Sequence, residues 1–229
     1  MSSQASQNVA IVDYGLGNLF SVKNACDHAG IRATITYSKE EISNADGVIL
    51  PGVGAFGDAM DALIKLDLID LLKDFSLAGK PLIGICLGMQ LLMTESYEFG
   101  WHEGLGVIEG SVLRLEAPKV PNIGWSQVYR PTAADIDRGC NEESFDSWSG
   151  TPMADLQNGE YMYFVHSYYT TPNDPGVLLS TSRYGDLEFC SMLQKNNTFG
   201  CQFHPERSGP QGLKFYSNIV SMLSGNEQR

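Results

Sequence analysis

One cysteine stands where a strand-like pattern gives way to a helix-like one. It is Cys86, within "PLIGICLGMQLLM" at 81–93, flanked by Gly84 and Gly88. This is the spacing of a GxSxG nucleophile elbow with cysteine in place of serine, and a strand before and a helix after are the setting that motif requires. An elbow holds its central residue in a strained turn, and small neighbours let the backbone approach closely on both sides. The side chain is thereby presented at the edge of a sheet. The positive end of the following helix favours thiolate, the reactive form. Cysteine is also a small hydrophobe that is commonly buried, which is the reading for Cys26, Cys190 and Cys201, none of which has such a setting.

A catalytic cysteine needs an imidazole to take its proton, commonly held by a third group. Of the four histidines, His28 sits near a helix end and His102 in a loop, both suited to solvated or capping roles. His166 lies in "YFVHSYY" and can face either side of a strand. His204 ends the apolar run "FGCQF" and is followed by Pro205 and Glu206. Proline biases its predecessor toward an extended conformation, and positions i and i+2 of an extended chain share a side. The spacing therefore predicts a peptide extended through Glu206, with its carboxylate beside the His204 ring.

A third feature is "PGVGAFGD", starting at Pro51. It follows an apolar run, so it projects from the same sheet edge as Cys86. Its glycines permit peptide orientations in which backbone N–H groups point at a developing oxyanion. An ordinary glycine turn before a helix is the other reading.

The elements that must position these residues alternate. "NVAIVDYG" reads as a first strand, "LFSVKNACDHAG" after Asn18 as a helix, "RATITYS" as a second strand and "ADGVILPGVG" as a third. A single long amphipathic helix is predicted from Asp58 to about Leu77, then a strand at "PLIGI" and a helix at "MQLLMTES". This grammar predicts an α/β fold: an open, mostly parallel central sheet with helices on both faces and chemistry at the carboxyl ends of its strands. After Gly104 the pattern changes to short apolar runs, "SVLRLE", "GEYMYFVHSYYT", "GVLLSTS", "LEFCSMLQ" and "FGCQFH", predicting additional antiparallel strands before a last helix from about Gln211 to Leu223. Residues 1–7 read as a frayed start, 8–224 as one domain and 225–229 as a tail. The polar stretch between Arg130 and Gly159 reads as a loop or embellishment with no evident chemistry.

Composition excludes several classes. With 229 residues, 43% of them hydrophobic, the chain can bury a proper core. No leader-like segment or bilayer-length apolar run appears, so no membrane association is expected. The five cysteines are odd in number and lack CxxC spacing, which argues against a disulfide framework or a metal site and fits a cytoplasmic location. A formal charge of -12 opposes binding to nucleic acid, which draws affinity from Lys and Arg. In "DYGLGN", Gly15 and Gly17 begin a GxGxxG pattern, but Phe20 takes the third glycine's place. No nucleotide cofactor is supported.

Taken together, "PGVGAF", "GICLGMQLL", "YFVHSYY" and "FHPERSG" resemble, in this order, the class I, triad-type glutamine amidotransferases. "VDYGLGN" and "VPNIGW" make the chain most similar, within that family, to the glutaminase subunits of imidazole glycerol phosphate synthases in histidine biosynthesis. The resemblance implies Cys86, His204 and Glu206 as a catalytic triad. It implies the Leu87 N–H and one from the Gly52 to Val53 region as the oxyanion hole. Gln90 and the backbone around His166, Ser167 and Tyr168 would bind glutamine. It further implies a (β/α)8-barrel synthase subunit as heterodimer partner, receiving ammonia through a tunnel, with Asn18, Asn122, Trp125 and Arg207 near that interface. "VPNIGWS" departs from the usual VPHMGWN at Asn122, Ile123 and Ser126, and Arg207 stands where lysine is common. Three other readings exist. A glutaminase for another pathway, such as surface-sugar amidination, would keep the triad and change the interface. A cysteine-elbow stress protein would not require the His-Pro-Glu unit, and a non-catalytic binding subunit would have lost a triad member.

Overall fold

The computed structural model describes residues 7–131 and 148–225. Most of the expected frayed start, residues 226–229 of the tail, Cys140 and most of the polar stretch before Gly159 lie outside them. Strands β1 (Asn8–Val12), β2 (Arg32–Thr36), β3 (Gly47–Gly52) and β4 (Leu82–Cys86) are parallel neighbours in the order β2-β1-β3-β4. They match the four strands expected. Five of the next strands in sequence, β5 (Met93–Ser96), β6 (His102–Glu103), β7 (Ile108–Arg114), β8 (Asn122–Tyr129) and β9 (Glu160–His166), are followed by β10 (Tyr168–Pro172), β11 (Leu178–Tyr184), β12 (Leu187–Lys195) and β13 (Thr198–Cys201). The large sheet continues from β4 through a parallel β13 and then antiparallel β12, β11, β8 and β9. A second sheet has the order β10-β7-β5-β6.

Alternation divides the core. Val9 and Ile11 of β1 pack into one buried cluster with Ile49, Ile85, Phe199, Phe215 and Tyr216, whereas Ala10 and Val12 join Val48, Leu50, Leu82 and Leu87 in another. A strand with both faces covered reads as a continuous apolar run, as β1, β3 and β4 do. Helix α1 (Leu19–His28) and the final helix (Gly209–Gly225) supply the first cluster. The second is roofed by α2 (Lys39–Asn44), α3 (Phe56–Lys65), α4 (Ile69–Leu77) and α5 (Leu87–Leu91). The final helix is therefore α6.

Two expectations need correction. The amphipathic segment after Asp58 is two helices, because Asp67 adopts φ 53°. Its N–H bonds the Ile64 carbonyl at 2.9 Å and the Leu68 N–H reaches back to Leu63 at 3.0 Å. That is a Schellman stop made with aspartate instead of glycine. The segment "MQLLMTES" is not one helix either. Helix α5 ends at Leu91 and Met93–Ser96 becomes β5, which pairs with β6 and β7. The unforeseen α2 begins at Ser38, whose side chain accepts from the Glu41 N–H, with Glu40 and Glu41 in its first turn. That is ordinary N-capping. Among the described residues no helix is long and apolar enough to cross a membrane.

Candidate active site

Three adjacent parallel strands end together. Gly52 of β3 is in register with Cys86 of β4, and Cys201 of β13 with Ile85. The loop after Gly52, the elbow at Cys86 and the segment from Gln202 to His204 thus issue from one edge.

Cys86 caps α5 with φ 54° and ψ -108°, a conformation that L-residues rarely adopt. Its neighbours have to be glycine. A Cβ on Gly84 would lie 2.6 Å from the Gly88 carbonyl oxygen, and one on Gly88 would drive into the carbonyl oxygen of Leu50 on β3. The sulfur lies 3.7 Å from the Val165 carbonyl oxygen, receives the Gln202 side-chain amide at 3.6 Å and hydrogen-bonds with the His204 ring.

His204 is fixed through its backbone. Its N–H donates to the Tyr163 carbonyl at 2.8 Å, and the Ser208 hydroxyl donates to the His204 carbonyl at 2.7 Å. The chain is extended at His204 but coils into a 3-10 turn over Pro205–Arg207, so the fully extended peptide expected from the sequence is not what forms. The pairing nevertheless exists: His204 Nδ1 lies 2.8 Å from Glu206 Oε1, with the carboxylate only 1% exposed. Nε2 is then the nitrogen left for the sulfur. Burial opposes charge on His204, yet the Cys86 sulfur and the Glu206 carboxylate outweigh it and raise its pKa to about 10. His204 is therefore held as imidazolium at neutral pH.

A cavity of about 360 Å³ opens over this pair, lined among others by Asn18, Val53, Gly54, Leu87, Gln90, Ser167, Tyr168 and Arg207. At its base Leu87 is the first residue of α5, so its N–H has no acceptor within the helix. Gly52 is not in the wall. It is buried beneath, where a Cβ would strike the Tyr14 hydroxyl, and that hydroxyl donates to the Pro51 carbonyl at 2.7 Å. Gly54 has φ +106°. The side chain of Gln90 donates to the Tyr168 carbonyl at 3.0 Å.

His166 borders the cavity, and burial pushes its pKa down to about 4, against the favourable Tyr168 carbonyl and with the charge of His204 adding to the fall. It is neutral: Nδ1 donates to the Tyr168 carbonyl at 2.9 Å, and Nε2 accepts from the Asn122 amide at 3.1 Å. Asn122, expected near a partner, is only 2% exposed and faces inward to this ring. Trp125 is 53% exposed and packs edge-on against Tyr163 at 5.8 Å, while the Arg207 guanidinium lies over the Tyr163 ring at 4.7 Å.

Two residues in this region were not singled out from the sequence. Glu98 lines the cavity, and its Oε2 accepts from the Phe56 N–H at 2.6 Å, at the start of α3. Burial raises its pKa above the usual carboxylate value. No motif surrounds it, and only the turn after β5 brings it there. Gln202 lies inside "FGCQFH", where a polar side chain in an apolar run is the signal the sequence offers. Among the described residues no group of three or more His, Cys, Asp or Glu side chains is arranged to hold a metal ion.

The family model for glutamine amidotransferase class-I matches residues 10–222. The chain is 44% identical over 216 residues to the imidazole glycerol phosphate synthase subunit HisH of Moorella thermoacetica, covering 94% of this chain and 95% of that one. It is 42% identical over 217 residues to the subunit of the same name from Rhodopirellula baltica, covering 93% and 97%. Among solved structures, PurLQS from Thermotoga maritima superposes with a TM-score of 0.71 at 17% identity, covering 95% of this chain and 99% of that chain. A glutamine amidotransferase crystal structure gives 0.69 at 18% identity, covering 94% and 98%. At those identities the structures speak to the fold alone.

Proposed function

This chain belongs to the class-I glutamine amidotransferase family, and on that premise we propose that it is the glutaminase subunit of an imidazole glycerol phosphate synthase. It hydrolyses glutamine to glutamate and ammonia for a synthase subunit. Identities of 42% and 44% to subunits of that name, over nearly the whole length of each, support the reading. The observation that carries it is the convergence, in one cavity, of a cysteine held in an elbow and an imidazole already gripped by a buried carboxylate.

The Cys86 thiolate attacks the side-chain amide carbon of glutamine. Negative charge moves to the amide oxygen, which the Leu87 N–H and an N–H of the Gly52–Val53 region stabilise. His204, protonated at neutral pH, gives its Nε2 proton to the nitrogen, and ammonia departs as the γ-glutamyl thioester forms. The now neutral His204 takes a proton from water, whose oxygen attacks the thioester carbon. Glutamate leaves and the thiolate–imidazolium pair is restored. Glu206 keeps Nδ1 protonated throughout and so holds the ring in the tautomer that both steps need.

Substrate binding follows from the wall chemistry. Glu98 is suited to the α-ammonium group of glutamine, and Gln90 with the backbone of Ser167 and Tyr168 to its polar ends. Neutral His166 adds no charge and stiffens the segment by holding the Tyr168 carbonyl.

On this reading the synthase subunit is a (β/α)8 barrel docked over the cavity mouth, which Asn18, Val53 and Arg207 line, and it also covers exposed Ile123 and Trp125. Enclosed transfer has a chemical reason: free ammonia at neutral pH is mostly ammonium, which is not nucleophilic. Mixing the chain with a barrel synthase and measuring glutamate release, with and without the synthase's nucleotide substrate, tests this. Release stimulated by the partner is expected, and equal rates alone and in the mixture would count against it.

A further inference from the structure

Gln202 is fully buried, follows β13 directly, and its backbone N–H is held by the Ser191 carbonyl at 2.9 Å. A buried carboxamide is costly unless both its ends are satisfied. Here both are, and in a sense that fixes which end is which. Gln90 Nε2 lies 3.0 Å from the Tyr168 carbonyl oxygen, which can only accept. The same nitrogen lies 3.0 Å from Gln202 Oε1. Gln202 must therefore turn its oxygen to Gln90 and its amino group to Cys86, where Nε2 lies 3.6 Å from the sulfur. Both amide hydrogens of Gln90 are engaged, leaving its oxygen as the acceptor it can offer a ligand.

We propose that Gln202 is a positioning residue for the glutaminase reaction: its amide donates to the Cys86 sulfur and favours the thiolate, while its oxygen sets the orientation of Gln90. The inference rests on the reading of Cys86 as nucleophile. It makes the sulfur the end of a relay that starts at the Tyr168 carbonyl, so the substrate wall and the nucleophile share one hydrogen-bonded chain. The sulfur then has two donors, an imidazolium and a neutral amide, and the amide stays in place when His204 gives up its proton.

The test uses the full chain and the rate at which iodoacetamide alkylates Cys86, followed on the Cys86 peptide by mass spectrometry. Gln202→Glu is isosteric and, when ionised, keeps an acceptor for Gln90 but has no donor for sulfur. Gln202→Met fills the space and removes both roles. A hydrogen bond to a charged group is worth about a factor of ten, so near pH ~7 both variants should react roughly tenfold more slowly than wild type, with the difference closing at strongly alkaline pH, where thiols ionise unaided. The KM for glutamine should rise more in Gln202→Met than in Gln202→Glu. Wild-type rates in both variants, or a loss equal at every pH, would overturn the proposal, the latter marking mere loosening of the fold. If wild-type Cys86 itself reacts no faster than free cysteine, the assignment of the nucleophile fails along with it. The Met variant carries the test should the Glu variant not fold.

Discussion

Glu206 reaches the His204 ring from two residues downstream, across Pro205, and meets Nδ1 at 2.8 Å while almost wholly shielded from water. The contact is made by a tight 3-10 turn that brings the carboxylate back under the ring. Base and orienter are thus one local unit, and it is positioned as a unit, through the backbone contacts of His204 to Tyr163 and Ser208.

That relationship grades the expected losses. His204→Ala removes the proton carrier and should lower glutaminase kcat by at least about 10³-fold. Glu206→Ala leaves the carrier and removes its alignment, so a fall of roughly 10²-fold with little change in KM is expected. Steady-state kinetics on the assembled complex decide the order, and equal losses would contradict an orienting role.

Cys86→Ala should abolish glutamine-dependent synthesis by the complex and leave synthesis from added ammonium salts intact, because the synthase needs only the nitrogen source. Parallel assays with the two nitrogen donors check this. Loss of both activities in a correctly assembled complex would contradict the division of labour.

The raised value of His204 sets the alkaline side of the pH profile. Its proton, donated to departing ammonia, is lost as pH rises toward about 10, so kcat/KM should decline on that side. Removing the sulfur in Cys86→Ala takes away what opposes burial most, and the imidazole should then titrate at lower pH. Histidine chemical shifts measured by NMR as a function of pH report it.

His166 acts in the opposite sense. Its folded value, about 4, lies below the unfolded value of ~6.5. Between these limits the unfolded chain binds the extra proton, so the stability it contributes is fully present above pH ~6.5 and is lost as pH falls toward 4, on the order of 3 kcal/mol in all. His166→Gln should flatten the dependence of melting temperature on pH in this window, even if it lowers stability at neutral pH. An unchanged acid slope would count against the assignment.

Gly88→Ala should be the most damaging change at the elbow, since the added methyl meets the Leu50 carbonyl, which belongs to the strand itself. The cost of such overpacking is typically ~1–3 kcal/mol and here falls on backbone that cannot move aside. Gly84→Ala, with its methyl against the helix-side carbonyl of Gly88 at 2.6 Å, should be milder. Thermal denaturation of the two variants tests the ranking.

Features carried by contiguous residues were legible in the sequence. "GICLG" announces an elbow because strand, glycines and helix follow one another, and His204 with Glu206 are two positions apart. The strands at β1, β3 and β4 read clearly because both their faces are buried. The division between α3 and α4 did not, since Asp67 occupies a left-handed position that sequence patterns assign to glycine. Nor did β5, whose strand character comes from pairing with β6 and β7. Glu98 and the inward turn of Asn122 toward His166 depend on elements distant in sequence. Local pattern carries no record of such meetings.

Adjacent strands in a sheet are spaced about 4.8 Å apart by their peptide ladders, and Gly52, Cys86 and the residues after Cys201 hang from three such neighbours. Distances among the reacting groups are consequently set by the girder that also holds the two cores apart. Warming should fray outer loops long before it pulls sulfur from imidazole. Heat inactivation of glutamine cleavage ought then to coincide with cooperative melting of the whole molecule.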